Sequence, residues 1–189
     1  MQGLVLVTGF GSFEDVDDNP SGRLARALGL RVDALGIELP VSFERAPALI
    51  DGSLALLAAP PVALFSMGVH PGATFRLEAT ARAALSSTRP DNDGALGAEL
   101  ALEGPELTTS LDLDALDAAL IAAGGAPTER SSDAGGYVCE RVYRHVLEHA
   151  QRLGVPGFFL HVPPLARRPL EEQLPVATAA LEELLRQVG

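Results

Sequence analysis

Short apolar runs separated by stretches of helical spacing constrain this chain more than any other feature. Residues 4–7, 62–67 and 157–162 are apolar almost throughout. A run of that length without polar alternation reads as a strand covered on both faces, and such a strand needs helices above and below it. Helical patterns fall between the runs, over residues 20–28, 47–58 and 113–123, and a last one covers 170–188. Apolar strands alternating with helices predict a mainly parallel sheet in an α/β protein. A further strand is expected over residues 34–43. Residues 77–86 follow a different rule, with Leu77, Ala79, Ala81, Ala83 and Leu85 on one side and Glu78, Thr80, Arg82, Ala84 and Ser86 on the other. That is a period-two strand carrying Glu78. Residues 89–94 (Arg-Pro-Asp-Asn-Asp-Gly) have the composition of a turn.

A chain of 189 residues with 47% hydrophobic content can bury a sizeable core and lies in the range of one domain, expected to span residues 1–189. With 14 basic and 25 acidic residues the formal charge is −11, which repels phosphate backbones and anionic lipid surfaces. Nucleic acid and membranes are therefore not the expected partners. The first apolar run is too short for a signal peptide, and the single cysteine cannot form an internal disulfide; both fit a cytoplasmic protein.

That cysteine, Cys139, is the most informative single residue. Ser131, Ser132 or Asp133 can cap a helix in which Val138, Val142, Val146 and Ala150 repeat at helical spacing, so a helix is predicted over about residues 133–152. A thiol in its opening turns feels the positive end of the helix dipole, which predicts a pKa below the free value of about 8.5 and a candidate nucleophile. Cys139 also shares an arc with the three valines, so the local pattern equally suits a buried core thiol. The paired glycines 135 and 136 weaken a first helical turn, as if close backbone approach were needed there.

The first apolar run ends at Thr8-Gly9-Phe10-Gly11-Ser12-Phe13, a loop expected to form a site wall. Gly9-x-Gly11 begins like a dinucleotide fingerprint, but Glu14 stands where the third glycine belongs and would face the pyrophosphate. Asn19-Pro20-Ser21 opens a helix with proline near its first position.

A thiol at a helix start, His161 near a strand end and Glu78 on another strand are the parts of a Cys-His-acid triad. In that chemistry thiolate attacks a carbonyl, imidazole returns the proton to the leaving amine, and carboxylate orients the imidazolium. The motifs Thr8-Gly9-Phe10-x-x-Phe13 with Asn19-Pro20-Ser21, then Pro90-Asp91-Asn92-x-Gly94, then Ser131-x-Asp133-Ala134-Gly135-x-Tyr137-x-Cys139, and lastly His161-Val162-Pro163 resemble the type I pyroglutamyl peptidases (pyrrolidone-carboxylate peptidases). They occur in family order and span most of the chain. The resemblance implies a three-layer α/β/α sandwich around a mixed, mainly parallel sheet, and removal of N-terminal pyroglutamyl residues from peptides. It further implies nucleophile Cys139, base His161 and orienting Glu78, with Phe10 and Phe13 lining the ring pocket and Asn19 beside them. No cofactor or metal is implied, and family members often form homo-oligomers. The chain departs from the family around its acid: Glu78 is followed by Ala79 rather than arginine, Ala83 stands where an asparagine is usual, and Gly72-Ala73 replaces Gly-Arg. In the first loop Ser12 and Glu14 replace the commoner proline and glycine.

Two other readings remain. His145-Val146-Leu147-Glu148-His149 matches the His-x-x-Glu-His pattern of inverted zinc peptidases. Helical spacing puts Glu148 among Arg141, Arg144 and Arg152, the expectation being a solvated, salt-bridged face lacking a third ligand. Alternatively, the fold persists as a weakened or inactive relative with a binding role.

Overall fold

The structure, a computed structural model, describes residues 3–14 and 16–189, with the backbone alone at Glu99. In chain order it runs β1 (Val5–Phe10), α1 (Pro20–Leu28), β2 (Ala34–Leu39), α2 (Arg45–Leu56), β3 (Ala63–Val69), β4 (Phe75–Glu78), β5 (Thr80–Ala81), β6 (Leu107–Thr108), α3 (Leu113–Ala122), β7 (Thr128–Ser131), α4 (Val138–Leu153), β8 (Gly157–Val162) and α5 (Leu170–Val188). Six strands form one sheet in the order β2-β1-β3-β8-β4-β7. All its pairings are parallel except β4 with β8.

The two sheet faces follow from strand alternation. Val5, Val7, Phe65, Met67, Phe158 and Leu160 pack on one side against α1, α3 and α5. Leu6, Leu64 and Phe159 face the opposite way, into a second core with α2 and α4. The result is the expected α/β/α sandwich. Polar positions on the α4 face are paired: the hydroxyls of register partners Thr8 and Ser66 lie 2.7 Å apart.

Three local expectations change. The strand over 34–43 stops at Leu39 because Pro40 follows, although Val41 and Phe43 still enter the core. The strand over 77–86 breaks after Glu78, where Ala79 N–H donates to Ser131 O, and Thr80–Ala81 pairs instead with β6 in a separate two-stranded sheet. The helix over 133–152 begins only at Val138. Gly135 and Gly136 precede it with φ of 95° and 63°, left-handed values that side chains resist, so the pair shapes a turn rather than weakening a helix.

Helix α4 has no fully solvated polar face. Glu140, Arg144 and His145 are buried along with the valines. The chain between β5 and β6 covers that side, and Arg144 donates to the carbonyl of Pro105 at 2.8 Å.

Candidate active site

The site sits where the strands end. β1, β3 and β8 run parallel and deliver Phe10, Val69-His70 and His161 to one rim of the sheet, the position at which open α/β sheets hold ligands. Gly68 and His161 are register partners on the α4 face. A Cβ on Gly68 would lie 2.8 Å from Cys139 Sγ, so the thiol rests directly on the strand floor. Here glycine is required by close approach rather than by its dihedral angles.

β4 supplies the acid from the other side. Arg76 is the register partner of His161, and Glu78 lies one alternation further on the same face. Its carboxylate reaches back, and His161 Nδ1–H donates to Glu78 Oε1 at 2.7 Å. That bond leaves the Nε2 lone pair facing away from the carboxylate. Glu78 is fully buried and His161 nearly so. Arg76 Nε lies 3.9 Å from Glu78 Oε1, and Arg76 also donates to Ser131 Oγ at 2.7 Å. The guanidinium that the family motif carries after the glutamate is absent at Ala79, and Arg76 brings one from two residues before it.

The second residue of α4 is Cys139, closer to the helix start than periodicity predicts. Its pKa nevertheless moves opposite to expectation. Burial, then the charges of Glu78 and Glu140, push the thiol up to about 12. The helix start does not offset this, because Glu140 fills the first turn with a carboxylate that accepts from Arg82 N–H at 2.7 Å and Gly136 N–H at 3.4 Å. The thiol therefore holds its proton at neutral pH until a base accepts it.

A cavity of about 240 Å³ opens beside these groups, lined among others by Phe10, Phe13, Asn19, His70, Arg76, Arg89, Tyr137, Cys139 and His161. It is smaller than a drug-sized ligand site and suits one small ring. Loop ties hold its walls. Asn19 Oδ1 accepts from Ser21 N–H at 3.1 Å while its Nδ2 donates to Gly11 O at 3.0 Å, so the residue both caps α1 and braces the first loop. Asn92 Nδ2 donates to Ser12 O at 3.1 Å, and Asp91 Oδ2 accepts from Phe43 N–H at 2.8 Å. Tyr137 donates to Pro90 O at 2.9 Å, and burial pushes its phenol up to about 12, so that proton stays.

Sequence reasoning missed two wall residues. Arg89 stacks on Phe13 and Tyr137, 5.1 and 5.3 Å from the ring centroids, and pairs with Glu14. His70 meets the His161 ring edge-on at 5.8 Å. Its Nδ1 accepts from Gly72 N–H at 3.2 Å and its Nε2–H donates to Thr74 O at 2.6 Å, which fixes the neutral tautomer; burial lowers its pKa and favours the same form. Arg76 was legible as a neighbour of Glu78 at i+2 spacing. His145 and His149 do not face open solvent: both Nε2 atoms approach Asp51 of α2.

A doubly covered, mainly parallel sheet that gathers a thiol and a carboxylate-bound imidazole at one cavity makes this an α/β/α protein with the candidate site of a cysteine hydrolase. The chain matches the model of the pyroglutamyl peptidase family over residues 3–188, and it belongs to that family. It is 35% identical to the pyrrolidone-carboxylate peptidase of Cupriavidus pinatubonensis, over 97% of this chain and 88% of that protein. A pyrrolidone-carboxylate peptidase of Saccharolobus islandicus is 28% identical, over 97% of this chain and 90% of its own length. Among solved structures, pyrrolidone carboxyl peptidase from Pyrococcus furiosus superposes with a TM-score of 0.86 at 25% identity, over 98% of this chain and 99% of that one.

Proposed function

We propose that this protein is a cysteine peptidase that removes an N-terminal pyroglutamyl residue from peptides, with Cys139 as nucleophile, His161 as base and acid, and Glu78 orienting His161. One observation carries the assignment of roles: the 2.7 Å bond to a fully buried carboxylate made by His161, whose register partner, Gly68, supports the only cysteine. Family membership supports the substrate class.

The geometry dictates the order of events. Nδ1–H is committed to Glu78, so Nε2 takes the thiol proton as sulfur attacks the carbonyl carbon. The resulting oxyanion forms near the start of α4, where first-turn N–H groups lack intrahelical partners and can serve as its donors. Collapse breaks the C–N bond, and Nε2–H protonates the departing amine. Water then gives its proton to Nε2 and attacks the thioester, releasing pyroglutamate and restoring the thiol. Phe10 and Phe13 flank the ring, and Asn19 holds the loop that carries them.

Pyroglutamate is an uncharged lactam, whereas an N-terminal proline brings an ammonium group into the same space. Burying that charge between aromatic rings without a partner is costly, and a ring lacking the lactam carbonyl leaves its intended partners unpaired. A pyroglutamyl reporter amide is therefore cleaved and the matching prolyl amide is not, with discrimination on the order of 10⁴-fold or more in kcat/KM. Cys139→Ala abolishes turnover without unfolding the protein. Comparable kcat/KM for the two reporters would defeat the pocket assignment, and residual turnover by Cys139→Ala would defeat the nucleophile.

Among the described residues no helix is long and apolar enough to cross a membrane. A cytoplasmic location is supported by the lone free cysteine and the acidic composition. Self-association rests on family resemblance, and sedimentation equilibrium tests it.

A further inference from the structure

Away from the cavity, two histidines one helical turn apart on α4 converge with a carboxylate from α2. His145 Nε2 lies 2.8 Å from Asp51 Oδ1, His149 Nε2 lies 2.6 Å from the same oxygen, and the two nitrogens are 3.2 Å apart. Without an ion, either both rings present an N–H to one oxygen, crowding two hydrogens of like polarity together, or one ring turns its lone pair toward the carboxylate. A cation resolves the conflict, since it replaces both protons and leaves three acceptors aimed at one point.

We propose that Asp51, His145 and His149 bind a divalent transition-metal ion of the zinc type, clamping α2 to α4. Ligand atoms of a tetrahedral zinc site, with bonds of about 2.0–2.2 Å, sit roughly 3.3–3.5 Å apart. The two nitrogens already nearly satisfy that spacing, and the aspartate need only swing outward. It is free to do so, because its side chain is 52% exposed while the histidines are 10% and 13% exposed. Two imidazoles and one carboxylate favour zinc, cobalt or nickel over magnesium or calcium, which prefer all-oxygen sets.

The neighbouring carboxylate supports a holding rather than a hydrolytic role. Glu148 Oε2 lies 3.8 Å from His145 Nδ1, on the far side of the ring from the ligand point, and Oε1 forms an ion pair with Arg144, 3.1 Å from its Nε. There it lies behind a ligating histidine, beyond direct hydrogen-bond reach, and is not positioned to activate a metal-bound water. The third ligand comes from another helix, so the His-x-x-Glu-His pattern completes a clamp and not a peptidase centre.

The test is titration of chelator-treated protein with zinc chloride, in a Cys139→Ala background so that the active-site thiol takes no metal. One equivalent binds with a dissociation constant of micromolar or below and raises the melting temperature, while magnesium chloride shifts nothing. Asp51→Asn, at a half-exposed position where folding is not at risk, and His149→Ala each weaken binding by about 100-fold or more. Cobalt(II) gives the intense visible bands of a four-coordinate site in the parent and loses them in both variants. Zinc binding weaker than millimolar, or binding that Asp51→Asn and His149→Ala leave intact, overturns the proposal.

Discussion

At the scale of single residues, the chemistry turns on where the thiol proton goes. Burial and two carboxylates push Cys139 up to about 12, so hydroxide alone produces almost no thiolate near neutrality. In the proposed mechanism His161 accepts the proton, and Glu78, bonded to its Nδ1, stabilises the imidazolium that results. Alkylation by iodoacetamide at pH 7.5 is therefore expected to be rapid in the parent enzyme and slower by about 100-fold or more in His161→Ala, the usual worth of a positioned base. Equal rates in the two proteins would show that the sulfur ionises unaided. Cys139 and His161 were legible in the sequence because each stands in a recognisable motif, whereas Glu78, whose surroundings depart from the family pattern, was legible only as the carboxylate of a period-two strand. The direction of the thiol shift was not: the helix-start argument sees the dipole but not burial, nor Glu140 one residue away. His70 and Arg89 were unread because no spacing rule brings residues from different strand ends and loops to one cavity.

At the scale of elements, the site depends on how closely α4 approaches the sheet. Gly68→Ala would put a methyl group 2.8 Å from Cys139 Sγ and 2.9 Å from the Phe159 ring. Phe159 is locked in the core, so the sulfur and the start of α4 must move. Displacement of a nucleophile by about 1 Å is enough to lower kcat by around 10²-fold, with a smaller effect on melting temperature. Full activity in Gly68→Ala would mean that the thiol does not use this floor. Gly136→Ala tests the turn that aims the helix: at φ 63° its Cβ would fall 2.2 Å from Ser86 Oγ, and a loss of stability above about 1 kcal/mol is expected by chemical denaturation. Strands β1, β3 and β8 and helix α5 were readable because apolar content or periodicity is continuous across them. β7, Thr-Glu-Arg-Ser at the edge of the sheet, carries almost no apolar signal and went unread. Tertiary hydrogen bonding, not local pattern, breaks the strand after Glu78 and delays α4 to Val138.

At the scale of the whole molecule, the layer containing α4 is anchored by a buried charge whose stability contribution runs against the usual carboxylate rule. Glu140 is fully buried and ties the helix to Arg82 and to the glycine turn, with Arg82 Nε donating to Oε2 at 3.1 Å. Burial raises its pKa above the ordinary 4.5, outweighing the lowering by its Arg82 and Gly136 hydrogen bonds. The folded state thus binds the Glu140 proton more tightly than the unfolded chain. That contribution is fully present below about pH 4.5 and is lost as pH rises through the elevated folded value. Asp33 works in the opposite sense: its hydrogen bonds to Arg31 lower its pKa below 3.8, so its contribution is present above that pH and lost in acid. Glu140→Gln removes the first titration and leaves the second, along with the repulsion of an acidic chain, common to both proteins. The unfolding free energy of the parent minus that of Glu140→Gln should therefore fall as pH is raised from 4 toward 8, whatever constant offset the exchange of a neutral carboxyl for an amide adds. Denaturant titrations across that range measure the slope directly. A difference that rises with pH would mean that the Arg82 pairing dominates and that the buried carboxylate is held charged at a net gain.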